Sequence, residues 1–495
     1  MKQIIIAFTF LLGSASTFAQ QNDKLLQTLK SELNYSMQQL QKQPDHKPYY
    51  MSMRVEDKYI LSLNSAFGEK NGEQEIRSRL FAPQIRIGSK ELDNFKYMNQ
   101  GTQQYKGMAV SQSTMLPLDD NAYDGIRAAI WDETNKRYKY ACKIYDETKT
   151  KMATSAENED KAACFSDAPV EKYYEEPIEV SKYTINKEAW LQKLNEVSAA
   201  FKSCPDLFGG EASLSYEATR VYFVNTDGTE VVQNRVCGRI MLSTQIIADD
   251  GMSLPLNKDY FAYNLDSLPS VEQMVADAKD MAKRMIALKN APVADPYTGP
   301  AMLSGAASGV FFHEIFGHRL EGHRLKTGGE TFKKMVGKEV LPKEFQVSCD
   351  PTLRHYAGTD LNGYYKYDNE GVKARRVNNV VNGVLKTFLM SRVPLDGFPE
   401  SNGHGRTSDD KDPVSRQSNL IIETIKPYTE AQMRQMLRAE AKKQGKEYGY
   451  YFKTVTSGYT YTGEGGSLNS FNVTPLEVYR IFADGRPDQL VRGVD

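Results

Sequence analysis

The chain has 495 residues but only six histidines, five cysteines and two tryptophans. Beyond the first twenty residues no apolar run reaches membrane-spanning length, which excludes a helical span in the body of the chain. Neither sign of charge dominates: 63 acidic against 62 basic side chains give a formal charge of -1. A general nucleic-acid binder would carry a basic excess to meet phosphates, so that class is disfavoured. There is no nucleotide-binding glycine fingerprint and no internal repeat. Strand-like and helix-like segments do not alternate in a βαβ rhythm, so an α+β fold is expected over a doubly wound sheet.

The length exceeds what one hydrophobic core organises, and two or more domains are expected. The N-terminus reads as a signal peptide over residues 1–19. Lys2 supplies the positive start, Ile4 to Leu12 the short apolar run, and Thr17-Phe18-Ala19 a small-residue cleavage site before Gln20. A periplasmic or secreted protein with no membrane span follows. No cysteine succeeds the signal, which argues against a lipid anchor. In an exported chain the cysteines raise the question of disulfides. Cys142 and Cys164 flank a polar stretch and form a candidate pair, with buried free thiols as the equal alternative; Cys349 stands alone in the second half.

Residues 23–42 carry leucines at helical spacing. Strand-like runs follow at Met51–Val55, Tyr59–Leu63, Arg79–Phe81 and Gln84–Ile87, the first two separated by the polar Glu56-Asp57-Lys58. The charged stretch 145–161 reads as an exposed insertion, and Trp190–Phe201 as a helix. Residues 219–248 form a hairpin about Asn225-Thr226-Asp227-Gly228. Ser270 to Leu288 is an amphipathic helix with Met274, Ala278, Met281 and Met285 on one face. Pro292 to Pro300 is a proline-rich break. It divides an N-terminal α+β region (20–291) from a β-rich C-terminal domain (292–495). In the second part come a short strand at Ala301–Leu303, a hairpin about Asn382-Gly383, and a helix at Thr429–Lys443 with Thr429 and Gln432 as capping box. Strands follow at Tyr450–Tyr461 and Thr474–Ile481.

Three of the six histidines fall within residues 313–323, His-Glu-Ile-Phe-Gly-His-Arg-Leu-Glu-Gly-His. Imidazoles suit zinc, and a glutamate beside a metal-activated water is the usual base for amide hydrolysis. The usual zinc-protease motif spaces its histidines by four. His313 and His318 are five apart, about 140° around a regular α-helix, and would not face one ion. A π-bulge restores a common face, and Gly317 permits a kink. A distorted helix or a helix end at Gly317–His318 is therefore expected. The alternative is a pair of histidines that merely cap or pack an amphipathic helix.

Ser308 to Gly322 resembles the signature of the TldD/PmbA family of zinc peptidases, once described as modulators of DNA gyrase, including the five-residue histidine spacing. Thr226-Asp227-Gly228-Thr229, Asp368-Asn369-Glu370-Gly371, Asn382 to Lys386, Ser401 to Arg406 and Arg416 to Asn419 follow as in that family. The resemblance implies a β-rich C-terminal half carrying the metal-site helix and a dimer, either a homodimer or a pairing with a related subunit lacking the metal motif. It also implies Zn2+ held by His313 and His318, Glu314 as catalytic base, and unfolded or extended peptides as substrate. Its third ligand is a cysteine near the C-terminus, yet no cysteine follows Cys349, and the chain stops at Asp495 where relatives continue. His323 stands where the family carries aspartate and is the candidate substitute ligand. Arg406 and Arg416 are candidates to stabilise an oxyanion, and His404 could approach the site from its glycine-rich loop. A catalytically silent, exported peptide-binding or partner subunit is the rival reading.

Overall fold

The computed structural model describes residues 20–97, 104–105, 108–109, 113–154, 161–179, 184–326, 330–408, 411–460 and 471–494. The segment read as a signal peptide lies outside them. The architecture is α+β, as expected. Its first half is built on one long antiparallel sheet. Strands β1 (Pro48–Ala66), β2 (Glu69–Ile87), β3 (Leu207–Asn225), β4 (Glu230–Ile247) and β5 (Ser253–Ala262) lie in the order β2-β1-β3-β4-β5. Thr114–Met115 adds to the edge of β2, and Lys172–Tyr174 runs parallel to β4. The Asp-Gly turn joins β3 to β4, with Gly228 at a φ of 100° that favours glycine.

Side chains alternate across a strand, so each face of this sheet has its own chemistry. Met51, Met53, Val55, Leu61 and Leu63 of β1 share a face with Leu214, Tyr222 and Val224 of β3 and with Val232, Ile240 and Leu242 of β4. Helices cover that face in two pairs. α1 (Lys24–Leu40) and α2 (Tyr123–Thr154) bury Leu26, Leu29, Leu33, Ile126 and Ile130 against its first portion. α3 (Lys187–Ala199) and α4 (Val271–Lys289) bury Leu194, Val197, Met274, Ala278, Met281 and Met285 against the second. Asp23, Asn186 and Ser270 cap α1, α3 and α4, each accepting a backbone N–H. The opposite face presents Arg54, Glu56 and Lys58 of β1 and Glu217, Thr219 and Val221 of β3. It looks toward the second half of the chain.

Two expectations need correction. Glu56-Asp57-Lys58 does not separate two strands; it lies inside the 19-residue β1. The charges are tolerated there because each has a partner. Arg79 donates to Asp57, with Nε at 3.0 Å, and Lys58 and Arg54 pair with Glu56. Nor is the charged stretch from 145 an insertion loop: Tyr145 to Thr154 continue α2, and residues 155–160 lie outside the described set. Its charges occupy the solvated side of a long helix, which hides the periodicity. All five cysteines are free thiols, so Cys142 and Cys164 are not bonded to each other.

In the second half, β6 (Ala301–Leu303) is followed by the short helix α5 (Gly305–Phe311). β7 (Phe345–Cys349), β8 (Val377–Val381), β9 (Val384–Leu385) and β10 (Leu420–Thr424) form one sheet in the order β9-β8-β7-β10. α6 (Glu430–Lys443) has the expected capping box and ends near Gly445 at φ 65°. β11 (Tyr448–Thr460), β12 (Phe471–Phe482) and β13 (Gln489–Val491) join β6 in a second sheet, with β6 parallel to β11. The stretch from Pro292 to Pro300 is irregular, tied by Ala294 N–H donating to Arg492 O.

The short turn motifs meet in one clasp between the halves. Arg392, buried at 1 % exposure, donates to Ser166 O and to Asp227 Oδ2 at 2.9 Å, reaching the β3–β4 turn. The Phe165 ring lies between the guanidinium groups of Arg392 and Arg86, at 4.0 and 3.9 Å. Asp368 accepts from the N–H groups of Glu370, Val372 and Gly405, and Glu370 accepts from Arg392 N–H. Burial first, and then the Asp368 carboxylate, raise the Glu370 pKa above the carboxylate range.

A second tie joins α4 to β12. Arg284 Nε donates to Glu477 Oε1 at 3.0 Å, and Glu477 is 3 % exposed. Burial opposes its charge, but the hydrogen bonds and charge of Arg284 outweigh it and leave the pKa lowered. A carboxyl depressed in the folded state contributes stability above its unfolded pKa, and that stability is lost as pH falls through the folded value. Glu477→Gln should therefore cost roughly 2 kcal/mol at pH 7, less than a fully buried pair because Arg284 is partly exposed. The gap between variant and parent should narrow below about pH 4. Paired denaturant titrations at the two pH values measure this; a gap independent of pH would contradict it.

Candidate metal centre

The histidine segment begins as an ordinary helix. Ser304 caps α5, accepting from Ala307 N–H and donating to Lys453 O at 2.7 Å, which fixes the helix start to β11. At Phe312–Phe316 the backbone widens into a π-helical turn, and Gly317–Leu320 then tightens into a 3-10 turn. This is the distortion that the five-residue spacing demands. Phe316, Leu320 and Leu325 are buried with Val347, Cys349, Phe388 and Leu389, anchoring the segment to the β7–β8 core. Gly322 N–H donates to Leu389 O and Leu389 N–H to Leu320 O, so the exit of the turn runs alongside Leu389.

The consequence is that His313 and His318 face each other, with ring centroids 4.7 Å apart. Glu314 sits between them, its carboxylate oxygens 3.7 Å from His313 Nε2 and 3.6 Å from His318 Nε2. The potential ligand atoms of these three residues all lie within 4.8 Å of one another. His313 is half exposed, whereas the side chains of Glu314 and His318 are 12 % exposed. Burial and the neighbouring His318 lower the His313 pKa, which favours the neutral, metal-binding form.

Behind His318 lies a residue to which the sequence reading gave no role. Glu321 Oε1 is 3.1 Å from His318 Nδ1, and the Glu321 side chain is fully buried. Burial opposes the charge on Glu321, but the hydrogen bond from His318 and the charges of Arg416, His318 and Arg324 hold its pKa down to about 2. An ionised carboxylate only accepts, so His318 Nδ1 donates to it and Nε2 is the ring nitrogen turned toward Glu314. Arg324 donates to the other Glu321 oxygen, and Arg416 Nη1 lies 3.5 Å from it. Gln417 Nε2 lies 3.4 Å from His313 O and 3.3 Å from His318 Nδ1. A Cβ on Gly317 would come within 2.0 Å of Gln417 Oε1, so this approach relies on glycine. A glutamate three residues after a histidine on a tight turn was the available signal for Glu321.

The remaining candidates sit elsewhere. His323 lies outside the His-Glu-His group; its two ring nitrogens are buried with no hydrogen-bond partner among the described residues, and burial lowers its pKa to about 4. His404 is fully buried between Asn402 O and Ser418 Oγ, each 3.1 Å away, and does not join the group. Burial pushes the Cys349 thiol up to about 12, as expected of a core residue. Arg416 stands beside Glu321, while Arg406 rests over the Tyr365 ring in a neighbouring cleft. That cleft, of about 560 Å³, lies between the polar face of the long sheet and the loops around Tyr364 and Arg406, with Gln417 in its wall.

Fold and site together describe a metallopeptidase-like centre: two imidazoles whose Nε2 atoms flank a carboxylate. Residues 296–493 match the model of the PmbA/TldA metallopeptidase C-terminal domain. A metalloprotease of Archaeoglobus fulgidus is 32% identical over 123 residues, 25% of this chain and 28% of that protein. A metalloprotease of Methanocaldococcus jannaschii is 30% identical over 150 residues, 30% of this chain and 32% of that protein. The chain thus aligns with about a third or less of each of these relatives. The crystal structure of TldE from Thermococcus kodakarensis superposes with a TM-score of 0.62 at 14% identity, covering 94% of this chain and 90% of that one. The match over residues 296–493 and the shared fold support a place in the TldD/PmbA family. Among the described residues no helix is long and apolar enough to cross a membrane.

Glu321→Gln keeps the shape of the side chain but removes the charge that fixes the His318 tautomer. Metal affinity should fall about 10–100-fold. Competition with a chromophoric chelator measures it, and an affinity equal to that of the parent would separate Glu321 from metal binding.

Proposed function

We propose that the protein is a zinc-dependent peptidase acting on unfolded or extended peptides. The observation that carries this reading is the pairing of His313 and His318 across Glu314, made possible by the π turn. The donor set fits a borderline metal such as zinc: two imidazoles, one with its far nitrogen held by a buried carboxylate. His313 and His318 would hold the ion. When bound it supplies Lewis acidity, acidifying water and polarising the scissile carbonyl.

The chain's own groups do the rest. Glu314 accepts the proton of the attacking water and returns it to the leaving amine. Glu321 orients His318, and Gln417 braces the turn that carries both histidines. The guanidinium of Arg416, 43 % exposed and paired with Glu321, is the candidate to offset negative charge on the carbonyl oxygen. His323 stays a candidate third ligand, and reaching the ion would require the 3-10 turn at Gly322–Lys326 to move.

That last point supports a second reading, a catalytically silent subunit that binds peptides or a partner, because the described geometry gathers only two imidazoles. Export and dimerisation, alone or with a relative lacking the metal motif, belong to the same proposal. The Lys2 to Ala19 pattern supports the first and the family resemblance the second. Periplasmic fractionation and light scattering of the purified protein test these two points.

For the central claim, purified protein should contain stoichiometric zinc and cleave an unfolded casein-type substrate, with activity lost to a chelator and restored by zinc. Glu314→Gln should retain zinc while hydrolysis falls about 10²–10⁴-fold. Unchanged hydrolysis in that variant would overturn the role of Glu314, and stoichiometric zinc without cleavage of any peptide would favour the silent reading.

A further inference from the structure

The cleft beside the histidines carries an imbalance of charge that the hydrolytic reading does not use. It contains three carboxylates, Glu56, Glu175 and Glu217, and five cations. Each carboxylate already has a cation from the cleft itself. Lys58 Nζ is 2.9 Å from Glu56, Arg235 Nη1 is 3.6 Å from Glu217, and Lys366 pairs with Glu175. Two guanidinium groups remain, Arg354 and Arg406. Neither has a carboxylate within 4.0 Å among the described residues.

Both are instead laid over tyrosine rings. Arg406 Cζ is 4.1 Å from the centroid of Tyr365, and Arg354 Cζ is 4.7 Å from that of Tyr263. The platforms are themselves held: the Tyr365 hydroxyl donates to Gly403 O and the Tyr263 hydroxyl to Leu361 O, each at 2.8 Å. Stacking occupies the face of a guanidinium but leaves its in-plane N–H groups open. That fork matches a carboxylate bidentately, and a fixed fork loses little freedom when it binds. Gln417, 3.3 Å from His318 Nδ1, lies in the wall of this cleft, so the cleft adjoins the turn that carries the histidines.

We propose that the cleft selects peptides bearing a carboxylate, read by Arg354 and Arg406. The ligand is an extended acidic peptide, whose carboxylate comes from an Asp or Glu side chain or from its own C-terminus. This rests on the peptidase reading for its biological sense but not for its test.

The test is binding by the full-length Glu314→Gln protein, followed by fluorescence anisotropy at low salt. The probes are labelled peptides of one length that differ only in Glu against Gln, each with a free or an amidated C-terminus. The Glu peptide should bind about tenfold tighter or more than its Gln counterpart, the worth of a charge-assisted pair. In an Arg354→Gln/Arg406→Gln background the ratio should fall to about one. A preference that follows the free terminus rather than the side chain assigns the carboxylate to the terminus and still supports the proposal. Equal binding of all probes, no measurable binding of any, or a ratio unchanged in the double variant overturns it. Acid-selective binding by a protein that hydrolyses nothing would leave the inference standing and remove the peptidase reading. Hydrolysis indifferent to acidic residues would do the reverse.

Discussion

One local constraint organises the second half of the molecule: five residues separate the two histidines, and an α-helix cannot aim both at a common point. The widened turn at Phe312–Phe316 resolves this, and its neighbours hold it in place. Phe316 and Leu320 pin its inner side to the β7–β8 core, and Gln417 packs where Gly317 leaves room. π turns are rare because they weaken the ladder, so one that persists is supported from outside. Here the support is the apolar core on one side and the Glu321 charge network on the other.

The charge network and the cleft use the same principle at different depths. Glu321 is fully buried yet ionised, since His318, Arg324 and Arg416 surround it. On the polar face of the sheet, Glu56, Glu175 and Glu217 are each neutralised in place. Arg354 and Arg406 stand out against this background because, among the described residues, neither has a carboxylate within 4.0 Å, although Asp360 and Asp368 lie near enough to feel their charge.

Much of the architecture was legible in the sequence wherever a short-range signal existed. The Asp-Gly turn, the Thr429–Gln432 capping box, the methionine face of α4 and the strained histidine turn all follow from contacts within a few residues. What escaped depends on distant partners. Glu56-Asp57-Lys58 looks like a loop because Arg79, which compensates Asp57, is recognisable as a partner only once β1 and β2 pair. α2 was concealed by a composition suited to solvent. Of the centre itself, the two imidazoles and Glu314 stand out by their clustering in a histidine-poor chain. Glu321 and Gln417 do not, because their roles arise from the direction in which the turn exits and from a loop about a hundred residues away.

The pairing of the Leu320–Gly322 backbone with Leu389 has an implication for how such a chain can vary. Between His313 and Leu325 every step is counted: the widened turn sets one phase, the tight turn a second, and the alignment beside Leu389 a third. Adding or deleting a single residue there would rotate the buried carboxylate out from behind its ring and expel an apolar anchor together. Divergent members of this lineage are therefore expected to keep the thirteen positions around the histidines fixed in number, even where their side chains change.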